Sequence, residues 1–371
     1  MGKIYFYIIM ALSFSCIGKE SELKLIEEEN FKRIIDNKQV NLFTLKNKNG
    51  LTAQITNYGG RIVSLWVPDK HGDFDDIVLG YESIEQYLQP KGRYFGALIG
   101  RYANRIAKGR FTLYDSIYTL TINNGDNHLH GGQKGFHNVV WSANKLSDKE
   151  LKLEYLSTDG EEGYPGNLNV TVIYKLNDDN ELEINYTATT DRPTHINLSQ
   201  HSFFNLFGAG KGSINSHLLQ INAAYFTPID EELIPTGQIE EVKSTPFDFT
   251  NIKPMGKDID ADNQQLKFGS GYDHNFVLEG SGLRVAAKVF EPNSGRVMEV
   301  ITNEPGLQFY GGNFLDERNV GKENLTYGYR TAFCLETQHF PNGPNETSFP
   351  STLLDPDDEY HSTCIYKFSI K

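Results

Sequence analysis

Apolar residues along this chain recur at every second position in short runs, and seldom at every third or fourth. Segments 51–65, 151–156, 168–175, 182–189, 283–290 and 297–302 alternate or run apolar and end in Gly, Asn or Asp turns, which is the period of strands. Helical periodicity is nearly absent, and the pattern predicts only short helical pieces over 83–88 and 256–260. No internal repeat, long low-complexity segment or Gly-Ser linker interrupts residues 41–371, so they are expected as one domain. Strands this numerous must cover their apolar faces with one another. The expected fold is therefore all-β, a large antiparallel β-sandwich.

The N-terminus follows a different pattern. Met1-Gly2-Lys3 is a short basic start, and residues 4–14 form an apolar run about as long as the core of an export signal and too short to span a bilayer as a helix. Cys16 follows Ser13-Phe14-Ser15, which loosely resembles a bacterial lipobox, with Leu12 one place further from the cysteine than that pattern prefers. The expectation is an export signal over residues 1–20, either simply cleaved or acylated at Cys16, and then a charged tether over residues 21–40. It places the protein in the periplasm or anchored to a membrane.

Composition narrows the ligand. The chain has 371 residues and 39% hydrophobic content, enough for a substantial core. Its formal net charge of −13 speaks against nucleic acid or a phosphorylated ligand, since both need concentrated Lys and Arg. A neutral ligand fits better. The 20 Tyr and 23 Phe against 2 Trp suit packed strands and pockets that hold flat apolar faces. Besides Cys16, the cysteines are Cys334 and Cys364; two buried free thiols are the commoner outcome, with a disulfide as the alternative.

One carboxylate, Glu336, follows the apolar run Thr331-Ala332-Phe333-Cys334-Leu335. Beside that much apolar surface it must find partners or change its pKa, which is how a catalytic base is usually made. His201 has a comparable setting in Asn197-Leu198-Ser199-Gln200-His201-Ser202-Phe203-Phe204. A base and a potential acid suggest paired proton transfer, although either alone reads equally well as a hydrogen-bonded core group. Gly100-Arg101-Tyr102-Ala103-Asn104-Arg105 offers two guanidinium groups, suited to sugar hydroxyls, to a carboxylate or to plain solvent. Asn127-His128-Leu129-His130-Gly131-Gly132 puts two histidines on one strand face, but Gln133 and Lys134 stand where a metal site would want a carboxylate, so no metal is expected. Asp273, just before a strand, is either an Asx turn or a hydroxyl acceptor. Gln308, among aromatics, is either a core amide or a ligand contact.

Together these segments resemble the aldose 1-epimerase family. The motifs run in the family's order over about residues 42–368: Asn57-Tyr58-Gly59-Gly60, residues 100–106, Leu129-His130-Gly131-Gly132, residues 201–206, 271–276, 306–312 and 334–341. The resemblance implies a β-sandwich of the galactose mutarotase type with an open cleft, and neither metal nor organic cofactor. It implies an isomerase that interconverts the α and β anomers of a free aldohexose, galactose or glucose. By similarity Glu336 is the base at the C1 hydroxyl and protonated His201 the acid at the ring oxygen. His130 would share in that proton transfer, while Asn104, Arg105, Asp273 and Gln308 hold the hydroxyls. A carbohydrate-binding module without catalysis would not need the Glu336 and His201 pair. A glycoside hydrolase would need two carboxylates about 5–10 Å apart across the bond, and Asp273 has a better role as a binder. An epimerase for hexose phosphates is disfavoured by the acidic chain and its export signal.

Overall fold

The computed structural model describes residues 23–371, apart from residues 90, 91 and 93. The export signal expected over residues 1–20, with Cys16, lies outside the described residues. A nine-stranded sheet forms one layer, in the order Ser142–Ser147, Glu150–Ser157, Leu168–Leu176, Glu181–Thr190, Tyr360–Ile370, Arg296–Thr302, Arg284–Phe290, Leu218–Ile221 and Lys253–Pro254. The C-terminal strand is thus zipped antiparallel between two central strands. Leu168–Leu176 and Glu181–Thr190 bury every second residue, which places Val170, Val172, Ile184 and Tyr186 in the core.

That face shares one buried cluster with two other sheets. Ala53, Ile55, Ile62 and Leu65 come from a four-stranded sheet, and Phe276, Leu307, Phe309 and Leu335 from a five-stranded one. Each Ile, Leu or Phe among them contributes about 1.5–3 kcal/mol when taken out of water, so sheets packed on sheets hold the domain together. The antiparallel β-sandwich expected from the strand pattern is the observed fold.

Several local expectations are corrected. The 51–65 run is two strands, Thr52–Thr56 and Arg61–Pro68, because Gly59 and Gly60 turn the chain with φ of 69° and 55°. The helical piece expected over 83–88 is Ile84–Tyr87. Residues 256–260 form turns instead, and the helix Gln264–Gly269 starts later, where the Asn263 side chain accepts from the backbone N–H groups of Gln265 and Leu266, a strong N-cap. The tether expected over 21–40 is folded from residue 23 onward. Phe31 and Val40 are fully buried, Arg33–Ile35 pairs with Lys38–Val40, and the Gln54 amide bonds both backbone groups of Ile26. Apolar anchors spaced among charges hold this strap down. Cys334 and Cys364 are both buried and free.

Candidate active site

The five-stranded sheet supplies the floor of the site. Its strands Asp273–Val277, Gly306–Tyr310 and Cys334–Gln338 pair in a register that aligns Asp273 with Tyr310 and Cys334, and Asn275 with Gln308 and Glu336. Successive side chains on a strand point to opposite faces, so with Phe276, Leu307, Phe309 and Leu335 in the core, Asp273, Gln308 and Glu336 share the other face. That face floors a cleft of about 640 Å³ lined by Asn104, Arg105, His130, His201, Asp273 and Glu336. Six of the seven site residues expected from the sequence therefore converge on one cavity. Gln308 is the exception: it stands one step behind the lining and donates from Nε2 to Asp273 Oδ1 at 2.7 Å.

The facing wall is tied to the floor by Asn197. Its Nδ2 donates to the carbonyls of Ala103 at 3.2 Å and His339 at 3.1 Å, and its Oδ1 accepts from the His339 N–H at 2.9 Å. One amide thus joins the Asn104 loop, the strand Ser199–His201 and the end of the Glu336 strand. His128–Leu129 pairs with Arg105–Ile106, which brings His130 beside Arg105. The turn after it needs glycine, because Gly131 has φ of 80° and a Cβ there would lie 1.7 Å from the Gly100 carbonyl oxygen.

His201 Nε2 lies 3.6 Å from Glu336 Oε1, and both side chains are almost wholly buried. Among the described residues, the second polar atom of each, His201 Nδ1 and Glu336 Oε2, has no hydrogen-bond partner. The His201 ring is held flat between Phe203 at 4.7 Å and Tyr94 at 5.8 Å, with His130 edge-on at 5.1 Å. Burial pushes the Glu336 carboxyl well above the usual range, the neighbouring Asp273 adds to this, and Arg105 opposes it. Burial pushes His201 down to about 3. Burial thus opposes charge on both side chains. Asp273 is likewise raised by burial, against Arg105 and the Gln308 hydrogen bond.

The ligating atoms of His130, His201 and Glu336 all lie within 4.8 Å of one another, the composition of a two-histidine, one-carboxylate metal site. The hydrogen bonding does not fit an ion. The Asn104 N–H donates to His130 Nδ1 at 3.1 Å, so neutral His130 carries its proton on Nε2 and offers a donor there, not a lone pair. Nor does His128 join His130. Its Nδ1 lies 2.7 Å from the Thr121 carbonyl oxygen and its Nε2 2.8 Å from the Tyr164 hydroxyl. The one-face expectation fails because His130 sits past the end of its strand at φ of 52°.

The two arginines also separate. Arg101 donates to Ser157 Oγ and to the carbonyls of Ser157, Thr158, Pro165 and Gly166, a structural role, and only Arg105 reaches the cleft. Sequence reasoning missed Asn197, Tyr94, Phe203 and Tyr310 as site residues. Phe203 could have been found from its place two residues after His201, and Tyr94 from the aromatic pair Tyr94-Phe95 just ahead of Ala97–Ile99.

A buried histidine and carboxylate 3.6 Å apart, beside an arginine and an aspartate in one cleft of an antiparallel β-sandwich, form an arrangement suited to moving protons on a neutral polar ligand. The chain belongs to the aldose 1-epimerase family, whose model matches residues 41–367, and is an isomerase that interconverts the anomers of aldoses. It is 47% identical to the galactose mutarotase of Bos taurus over 321 residues, 86% of this chain and 92% of that protein. It is 37% identical to the aldose 1-epimerase of Escherichia coli K12, covering 90% of this chain and 96% of that one. Among solved structures, an aldose epimerase homologue from C. elegans superimposes with a TM-score of 0.82 at 30% identity, over 89% of this chain and 99% of that one. A galactose 1-epimerase from Lactobacillus acidophilus gives 0.81 at 29% identity, over 91% and 97%.

Proposed function

We propose that Glu336 and His201 are the base and acid of anomer interconversion on a free aldohexose, galactose or glucose. The observation that carries this is the 3.6 Å approach of the two side chains across the cleft, each with its second polar atom unpartnered among the described residues. Glu336 takes the proton of the C1 hydroxyl while His201 gives one to the ring oxygen. The C1 to ring-oxygen bond breaks, the aldehyde rotates about C1–C2, and the reverse transfers close the ring on its other face. Both protons return to their starting groups. His130 donates from Nε2 near the ring oxygen, Asn104, Arg105 and Asp273 hold hydroxyls, and Gln308 acts by fixing Asp273. Polarimetry of freshly dissolved α-anomers tests the reading: galactose and glucose equilibrate faster with the enzyme, and their 6-phosphates do not. Failure to accelerate any free aldose would overturn it.

The proposal extends to location. The apolar run over residues 4–14 and the placing of Cys16 support export and acylation, so the protein is expected to fractionate with membranes and label with palmitate. Cys16→Ser should release it with its activity intact, since the cysteine precedes the folded strap. Recovery from the cytoplasm of a chain still carrying residues 1–15 would refute this placement and leave the catalytic assignment untouched.

A further inference from the structure

We infer that Asn124 is a positioning residue for catalysis, holding the Arg105 guanidinium in the plane that receives the sugar hydroxyls. The inference rests on the reading of Arg105 as a sugar ligand. Arg105 is 8% exposed and lies in a strand of only two residues, Arg105–Ile106. Its Nε donates to Asn124 Oδ1 at 3.0 Å. A guanidinium is planar, so a bond at Nε fixes the directions of both terminal nitrogens. Asn124 and Arg105 line the same cleft, and an arginine so oriented gives up less rotamer freedom when the sugar arrives.

The loop carrying Asn124 is braced on both sides, which is what a positioning device requires. Asn123 Oδ1 accepts from the Leu129 N–H at 2.7 Å and its Nδ2 donates to the Leu129 carbonyl at 2.9 Å. Leu129 is the cross-strand partner of Arg105, so the loop and the arginine are referenced to one residue. Asn124 exchanges backbone hydrogen bonds with Asn127 at 3.1 and 2.9 Å. Asn127 in turn accepts from the Lys108 N–H at 2.8 Å and donates to Glu232 at 3.2 Å. With its backbone fixed at this turn, the Asn124 amide presents one oxygen to Arg105.

Steady-state polarimetry on purified Asn124→Ala should show KM for galactose raised about ten-fold, the order expected for a hydrogen bond to a charged group, with kcat within about three-fold of wild type. Asn124→Asp keeps the acceptor oxygen and should recover most of that loss. Arg105→Ala should raise KM at least as far, and adding Asn124→Ala to it should bring no further rise. A rise in KM with Arg105→Ala but none with Asn124→Ala, or additive effects in the double variant, would overturn the positioning role alone. An unchanged KM in Arg105→Ala would overturn the sugar-binding reading and this inference with it. A lowered Tm in Asn124→Ala, with kcat reduced at unchanged KM and no recovery in Asn124→Asp, would assign Asn124 to folding instead.

Discussion

Glu336→Gln is expected to lose nearly all acceleration of mutarotation, about 10²- to 10⁴-fold in kcat, the usual contribution of a positioned base, while KM stays near wild type. The amide keeps the shape of the carboxyl and its packing beneath the cleft, but it cannot take a proton from the C1 hydroxyl. Stability should hold or rise. The wild-type carboxyl is 2% exposed, has no partner for Oε2 among the described residues, and sits where burial and Asp273 both oppose its charge; a neutral amide escapes both penalties. Polarimetry, sugar binding by calorimetry and thermal melting on one preparation separate the effects. Activity within a few-fold of wild type would place the base elsewhere, and a collapse in Tm would make Glu336 a folding residue.

The pair proposed for catalysis was legible as a candidate because Glu336 closes the apolar run 331–335 and His201 stands just ahead of Phe203-Phe204, although its own strand, Ser199–His201, is polar throughout. The sandwich was legible for a related reason: period-two burial in Leu168–Leu176 and Glu181–Thr190 survives into the structure almost residue for residue. What distinguishes Arg105 from Arg101 was not legible. Both lie in one hexapeptide, and their separation depends on Arg101 finding carbonyls at residues 157–166, far along the chain. The residues around Gln308 leave it open between a core amide and a ligand contact, and the family resemblance alone gives it to the sugar; its bond to Asp273 sets it one step behind the lining. Asn197 lay inside a quoted motif without a role, since only the tertiary structure brings Ala103 and His339 within reach of one amide. The strap misread as a tether shows the same limit: three apolar anchors among charges carry no period, and their partners lie in other strands.

His201→Asn should lower kcat by about 10²- to 10³-fold with only a modest change in KM. Protonation of the ring oxygen develops as the C1 to ring-oxygen bond breaks, so its loss is felt in the transition state and hardly in the bound sugar. Some activity should persist, because His130 still presents an Nε2–H near the same oxygen. The pH dependence of the wild type bears on the same point. The proposed mechanism needs one proton shared by Glu336 and His201, and burial moves Glu336 up and His201 down to about 3. Whether that single proton rests on Glu336 or has moved to His201 leaves the count unchanged, and the two limbs belong to the pair as a unit. As pH falls, activity is lost when both groups are protonated; as pH rises, it is lost when neither is. Wild-type kcat/KM should therefore have its acid limb near pH 3, well below the ordinary histidine value. A break near the ordinary histidine value of about 6.5 that disappears in His201→Asn would show that His201 titrates as a solvated group, and the shared-proton mechanism would fall.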